Sequence, residues 1–203
     1  EFCPTSPPCQ PPSGATITNN ATAGCLTLPP NTNCSNCAVI NLIGTVSPTP
    51  SYSNWTIIGP GVGQYGVTSP SVTVSTGEYN TFYTAYYECP DGSPAQIASY
   101  KKVVIPYVTD FTTTKVCDGN NSFIVTLVDK TNFFTPVNNR NFQYFYKSNV
   151  PGSPWIAITT NPFNLPAGNY QIKLIVTGDL DGVPQQPCEK IMPLSLATVP
   201  NQS

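Results

Sequence analysis

The chain has 203 residues, of which 39% are hydrophobic, 9% are charged and none is histidine, and its formal net charge is -2. With 8 Lys plus Arg it has no basic patch to neutralise a phosphate backbone or an anionic lipid surface, which excludes nucleic acid as an expected partner. Its apolar runs are too short for a membrane-spanning helix, so no membrane insertion is expected.

The 23 prolines and 14 glycines leave no uninterrupted stretch for an ordinary helix. The apolar residues gather instead in short alternating blocks, which predicts an all-β fold. In chain order, residues 1–13 carry Cys3, Cys9 and a run of prolines, and read as a Pro/Cys-rich arm or linker. Ala15 to Thr18 reads as an edge strand, followed by a loop holding Cys25 and Cys34. Ala38 to Val46 reads as one strong strand, and Ser53 to Ile58, centred on Trp55, as the next. Gly59-Pro60-Gly61-Val62-Gly63 reads as a flexible loop, since it lacks the Lys-Ser/Thr ending of a phosphate loop.

Val72 to Val74 leads into the clearest strand, Gly77 to Cys89. Its alternate residues Tyr79, Thr81, Tyr83, Ala85 and Tyr87 share the face assigned to the core. Asp91-Gly92 then marks a hairpin, and Ser99 to Ile105 the returning strand. The later strands are Ser122 to Val128, Asn141 to Lys147, Trp155 to Thr159, a Gly168 strand with Tyr170, Ile172 and Leu174 inward, and Glu189 to Leu196. Asp181-Gly182 supplies a second hairpin signal.

Gly77 and Gly168 stand 91 residues apart, as do Trp55 and Tyr146. Both glycines precede a tyrosine by two, so the chain reads as a duplication: one β-sandwich over 14–106 and a second over 107–203. Trp55 and Tyr146 are the expected aromatic centres of the two cores.

Eight cysteines without histidine fit disulfides better than metal ligation, which implies an oxidising, extracellular setting. Cys117 and Cys188 are the only cysteines after residue 106 and form the simplest pair. The pairing of Cys3, Cys9, Cys25, Cys34, Cys37 and Cys89 is open, with Cys25–Cys34 and Cys3–Cys9 favoured. Ala85-Tyr86-Tyr87-Glu88-Cys89 sets a tyrosine two residues before a cysteine, and Trp55 follows Cys37 by 18 residues. This resembles the Cys, Trp, Tyr-x-Cys pattern of immunoglobulin domains, which implies a Cys37–Cys89 bridge with Trp55 packed on it.

Leu165-Pro166-Ala167-Gly168-Asn169-Tyr170-Gln171-Ile172-Lys173-Leu174, followed by Asp181-Gly182 and Cys188, resembles the PKD-like, SprB-type repeats of large surface adhesins from gliding Bacteroidota. Ser75-Thr76-Gly77-Glu78-Tyr79 keeps the Gly and Tyr of that pattern, with the cysteine moved onto the strand as Cys89. The resemblance implies two tandem immunoglobulin-like (PKD-like) β-sandwiches at the cell surface. It also implies that neighbouring modules or copies of the chain are the partners.

The functional expectation is a non-enzymatic extracellular module, a disulfide-stapled stalk segment of an adhesin or filament. Without histidine the usual general base is missing, and the ten acidic residues form no evident catalytic pair. No cofactor and no metal is expected: Asp179-Leu180-Asp181-Gly182 offers too few carboxylates for a tight calcium site and reads as turn chemistry. One alternative is a self-assembling filament subunit docking through the N-terminal arm. Another is a carbohydrate-binding module that holds surface polysaccharide on Phe82 and Tyr86, which face away from Tyr79, Tyr83 and Tyr87, with Phe145 as the later counterpart. Phe142, Tyr144 and Tyr146 form a similar aromatic row opposite Phe145.

Overall fold

The structure is a computed structural model that describes residues 9–25, 38–118, 121–134 and 137–197. Cys3, Cys34 and Cys37, and most of the N-terminal arm, lie outside these residues. The described residues contain no helix and are built from strands joined by turns. The chain falls into two compact units, Glu1–Gly24 with Val39–Ile105 and Cys25–Ala38 with Pro106–Ser203.

In chain order the first strands are β1 (Thr16–Asn19), β2 (Thr22–Cys25), β3 (Ala38–Asn41), β4 (Gly44–Ser47) and β5 (Tyr52–Gly59). They are followed by β6 (Val62–Val67), β7 (Ser71–Val74), β8 (Gly77–Glu88) and β9 (Pro94–Ile105). One sheet has the order β2-β3-β7, another β6-β5-β8-β9, and β1 pairs with β4. Alternation along β8 sends Tyr79, Thr81, Tyr83, Ala85 and Tyr87 into the core and leaves the residues between them on the outer face.

The later strands are β10 (Tyr107–Val108), β11 (Phe111–Cys117), β12 (Ser122–Asp129), β13 (Asn132–Phe133) and β14 (Val137–Ser148). Then come β15 (Ile156–Ala157), β16 (Phe163–Pro166), β17 (Gly168–Leu180), β18 (Val183–Pro184) and β19 (Cys188–Leu196). The order β11-β12-β16 repeats that of β2-β3-β7. The order β15-β14-β17, with β18 and β19 on the far side of β17, repeats that of β6-β5-β8-β9. One core lies between these two later sheets, with Phe111, Phe123, Val125 and Leu165 from the first and Ile172, Leu174, Val176 and Leu194 from the second. Two antiparallel sheets sharing a core make a β-sandwich.

The two long hairpins share a register. Gly77 faces Ile105 and Gly168 faces Leu196, so each glycine meets the residue 28 positions on. The Trp55 to Tyr146 spacing does not share it. Trp55 faces Tyr83, whose counterpart 91 residues later is Leu174, and Leu174 faces Tyr144. Tyr144, two residues earlier on the same face, is therefore the structural equivalent of Trp55.

Both tyrosines after the repeated glycines hook back over the preceding turn. Tyr79 donates its hydroxyl to the carbonyl of Ser75 and Tyr170 to that of Pro166, each at 3.1 Å and four residues upstream. Gly77 has φ +149°, where side chains are rarely tolerated, and a Cβ there would lie 2.7 Å from Pro60.

A polar link is repeated as well. Asn19 donates to the Ser99 carbonyl at 3.3 Å and also to Thr81 in the first core, at 3.0 Å to the carbonyl and 3.1 Å to the hydroxyl oxygen. In the second unit, Asp110 is ion-paired with Lys190. Each pair spans 80 residues.

Three local expectations are corrected. Ala38 to Val46 is two strands, because after Asn41 the chain leaves the β3 sheet and β4 pairs with β1. Gly44 follows that break, and its bare Cα leaves room for the rings of Tyr83 and Trp55. Gly59 to Gly63 is a tight hairpin: Gly59 faces Val62 across Pro60-Gly61, with Gly61 at φ +67°, the arrangement a Pro-Gly turn provides. Cys25 ends β2 rather than sitting in a loop. The Asp181-Gly182 hairpin has φ +53° and +77°, the positive pair that a two-residue turn between twisted strands requires.

Candidate functional site

The cysteine framework differs from every expected pairing that the described residues include. Cys9 is bonded to Cys89 and Cys25 to Cys188, with sequence separations of 80 and 163 residues. Cys117 is free and exposed at the end of β11, an edge strand of its sheet. Cys188, buried at the start of β19, is bonded to Cys25, so the expected Cys117–Cys188 bond does not form. Cys9 and Cys89 take each other rather than Cys3 and Cys37, and Cys25 is taken by Cys188 rather than Cys34. Closing such long loops stabilises the fold by roughly 2–4 kcal/mol per bond, largely by restricting the unfolded chain.

Trp55, Tyr79, Tyr83, Tyr87, Ile172 and Leu174 are buried, while Tyr146 and Tyr170 are partly buried against the second core. Trp55 packs on a ring instead of a disulfide, stacking on Tyr83 with centroids 4.6 Å apart. Phe142, Tyr144 and Tyr146 do not form an exposed row. Tyr144 and Tyr146 pack on the core, and Phe142 meets Phe133 edge-on at 5.8 Å.

On the outer face of β5, β8 and β9, Phe82 and Tyr86 are each half-buried beneath a more exposed partner. Tyr86 stacks on Tyr52 with centroids 4.3 Å apart and planes at 8°, and Phe82 lies against Tyr100 at 5.2 Å. Both are cross-strand pairs in register, Tyr52 with Tyr86 and Phe82 with Tyr100. Tyr52 and Tyr100 are each 56% exposed, so the upper rings face solvent. Between the pairs run Asn54, Thr84 and Ala98, aligned across the three strands.

A cavity of about 280 Å³ opens at the Tyr52 end of this row. It is lined by Ser51, Tyr52, Tyr86, Glu88 and Ser93, together with Tyr87, Gly92 and Pro94. The β8–β9 turn shapes its rim. Asp91 accepts from the Ser93 hydroxyl at 2.6 Å and from its amide at 2.9 Å, and these bonds hold the Asp91 carboxyl below its usual pKa. Ser51 accepts from the Glu88 amide at 3.1 Å. Glu88 itself is exposed and takes part in no ion pair among the described residues.

The outer face of the second unit is occupied differently. The Lys173 ammonium lies 5.4 Å from the Phe145 ring centre and 4.6 Å from that of Trp155, and Lys147 stands 4.8 Å from Trp155. Lys173 also approaches Glu189 at 3.9 Å. Phe145 is thus part of a cation–π cluster rather than an open platform. The signal for this was the cross-strand position of Lys173, which alternation alone does not reveal.

Among the described residues no three Cys, Asp or Glu side chains gather where they could hold a metal ion. Asp179 accepts from the Asn139 amide at 2.7 Å. No helix among the described residues is long and apolar enough to cross a membrane. The fold and its bonds define an all-β protein of small antiparallel sheets with stabilising disulfides. No protein-family model matches the chain, and no curated protein sequence matches it.

Proposed function

We propose that the chain is a non-enzymatic, extracellular structural module: a disulfide-stapled stalk segment of a cell-surface adhesin or filament, built from two tandem immunoglobulin-like, PKD-like sandwiches. The observation that carries this reading is the repetition of strand order and hairpin register in the two units. A repeated framework with paired tyrosine hooks is what a tandem display array needs, since each copy supplies its own core. The Cys9–Cys89 and Cys25–Cys188 bonds favour an oxidising compartment. Immunogold labelling of intact source cells with antibody to the purified chain tests this. Surface label is the expected result, and label that appears only after permeabilisation would overturn it. In negative-stain electron microscopy of the purified chain the stalk reading expects discrete particles; long regular fibres would favour a self-assembling subunit instead.

A further inference from the structure

We propose that the first unit carries a binding site for a neutral glycan chain on the outer face of β5, β8 and β9, with one sugar seated in the cavity beside Tyr52. This does not depend on the stalk reading. A pyranose ring has an apolar C–H face that stacks on an aromatic plane and a rim of hydroxyls that needs polar partners. The cavity provides both. Tyr52, held flat on Tyr86, offers the plane, and Glu88, Ser51 and Ser93 offer oxygen atoms around it.

The second aromatic pair extends the site. Phe82 and Tyr86 are four residues apart on β8, about 13 Å at ~3.3 Å per residue, the span of a short oligosaccharide. Between them Asn54 and Thr84 present an amide and a hydroxyl that have no side-chain partner among the described residues. Ala98 completes the row with only a methyl group. At the far end Lys102 and Glu78 neutralise one another at 3.0 Å. That leaves Glu88, with Asp91 at the cavity rim, as negative charge without a cationic partner among the described residues, which admits an uncharged chain and repels a polyanion.

Affinity electrophoresis of the full chain through gels containing soluble β-glucan, xylan or galactomannan tests the proposal, with polygalacturonate as the polyanion and tetramethylammonium as a competing cation. At least one neutral polysaccharide should retard the protein and polygalacturonate should not. Tyr52→Ala and Tyr100→Ala, both exposed and outside the core, should each weaken retardation tenfold or more. Glu88→Gln, which preserves the cavity's shape, should weaken it several-fold. Tyr65→Ala removes an exposed ring outside the row and should change nothing. Retardation by none of the neutral polysaccharides, or equal loss in the Tyr65 and Tyr52 variants, would overturn the site. Binding of tetramethylammonium alone, read by tyrosine fluorescence, would replace it with an aromatic cation pocket.

Discussion

Trp55 and Tyr83 face each other across β5 and β8 and stack at 4.6 Å over Gly44, the glycine that opens β4. A Cβ on Gly44 would stand 2.6 Å from the Tyr83 ring and 3.0 Å from that of Trp55. Gly44→Ala should therefore destabilise the protein by about 1–3 kcal/mol, the usual range for overpacking a filled core. Urea unfolding measures this, and an unchanged midpoint would mean that the ring pair shifts freely.

The two tyrosine hooks predict unequal losses. Tyr79→Phe removes a hydroxyl bond in a buried setting and should cost about 1 kcal/mol. Tyr170→Phe removes the same bond at a more exposed position and should cost less. Equal effects in thermal unfolding would indicate that burial does not set their strength.

The parts of this fold that were legible in sequence are those where one face is buried and the other wet. β8 and β17 alternate so regularly that their inward residues and glycine start could be read, although β17 runs on to Leu180, into residues that read as turn chemistry. β2, β6, β11 and β16 escaped because they are short, polar or mostly exposed, and their pairing comes from neighbours rather than their own pattern. The disulfides were not legible, since spacing does not determine connectivity. Tyr86 was visible as an outward aromatic on β8, but its partner Tyr52 became evident only through the register of β5. Tyr146 was matched to Trp55 by equal spacing, whereas cross-strand pairing selects Tyr144.

Lys190 and Asp110 are both largely withdrawn from water, with side chains 12% and 20% exposed. Lys190→Met should cost about 3 kcal/mol, because it strands a carboxylate that also accepts from the Phe111 amide. The double variant Lys190→Met, Asp110→Leu should recover part of that loss. If the double change unfolds as much below wild type as the sum of the single changes, the two residues are not coupled.

Alkaline pH should weaken the second unit through Tyr144. Burial, reinforced by the nearby Asp129 charge, raises its phenol from 10.0 to about 12. The folded state thus favours the protonated ring: its contribution is complete below pH 10 and is lost as pH rises from 10 towards 12. Tyr144→Phe should flatten the fall in stability over that window, measured by denaturant unfolding at fixed ionic strength.

Cys117 should be alkylated by iodoacetamide in the native protein, and the label should disappear from its peptide in Cys117→Ser. Peptide mapping without reductant should recover Cys9 joined to Cys89 and Cys25 joined to Cys188. A Cys117–Cys188 peptide would reject this framework.

The two bonds overlap along the chain, since Cys25 lies between Cys9 and Cys89, and Cys89 lies between Cys25 and Cys188. A single proteolytic nick anywhere from Cys9 to Cys188 therefore leaves both fragments joined by at least one bond. Clipped chains would run as intact on a non-reducing gel and separate only with a reductant, so damage in the loops would not by itself shed either unit.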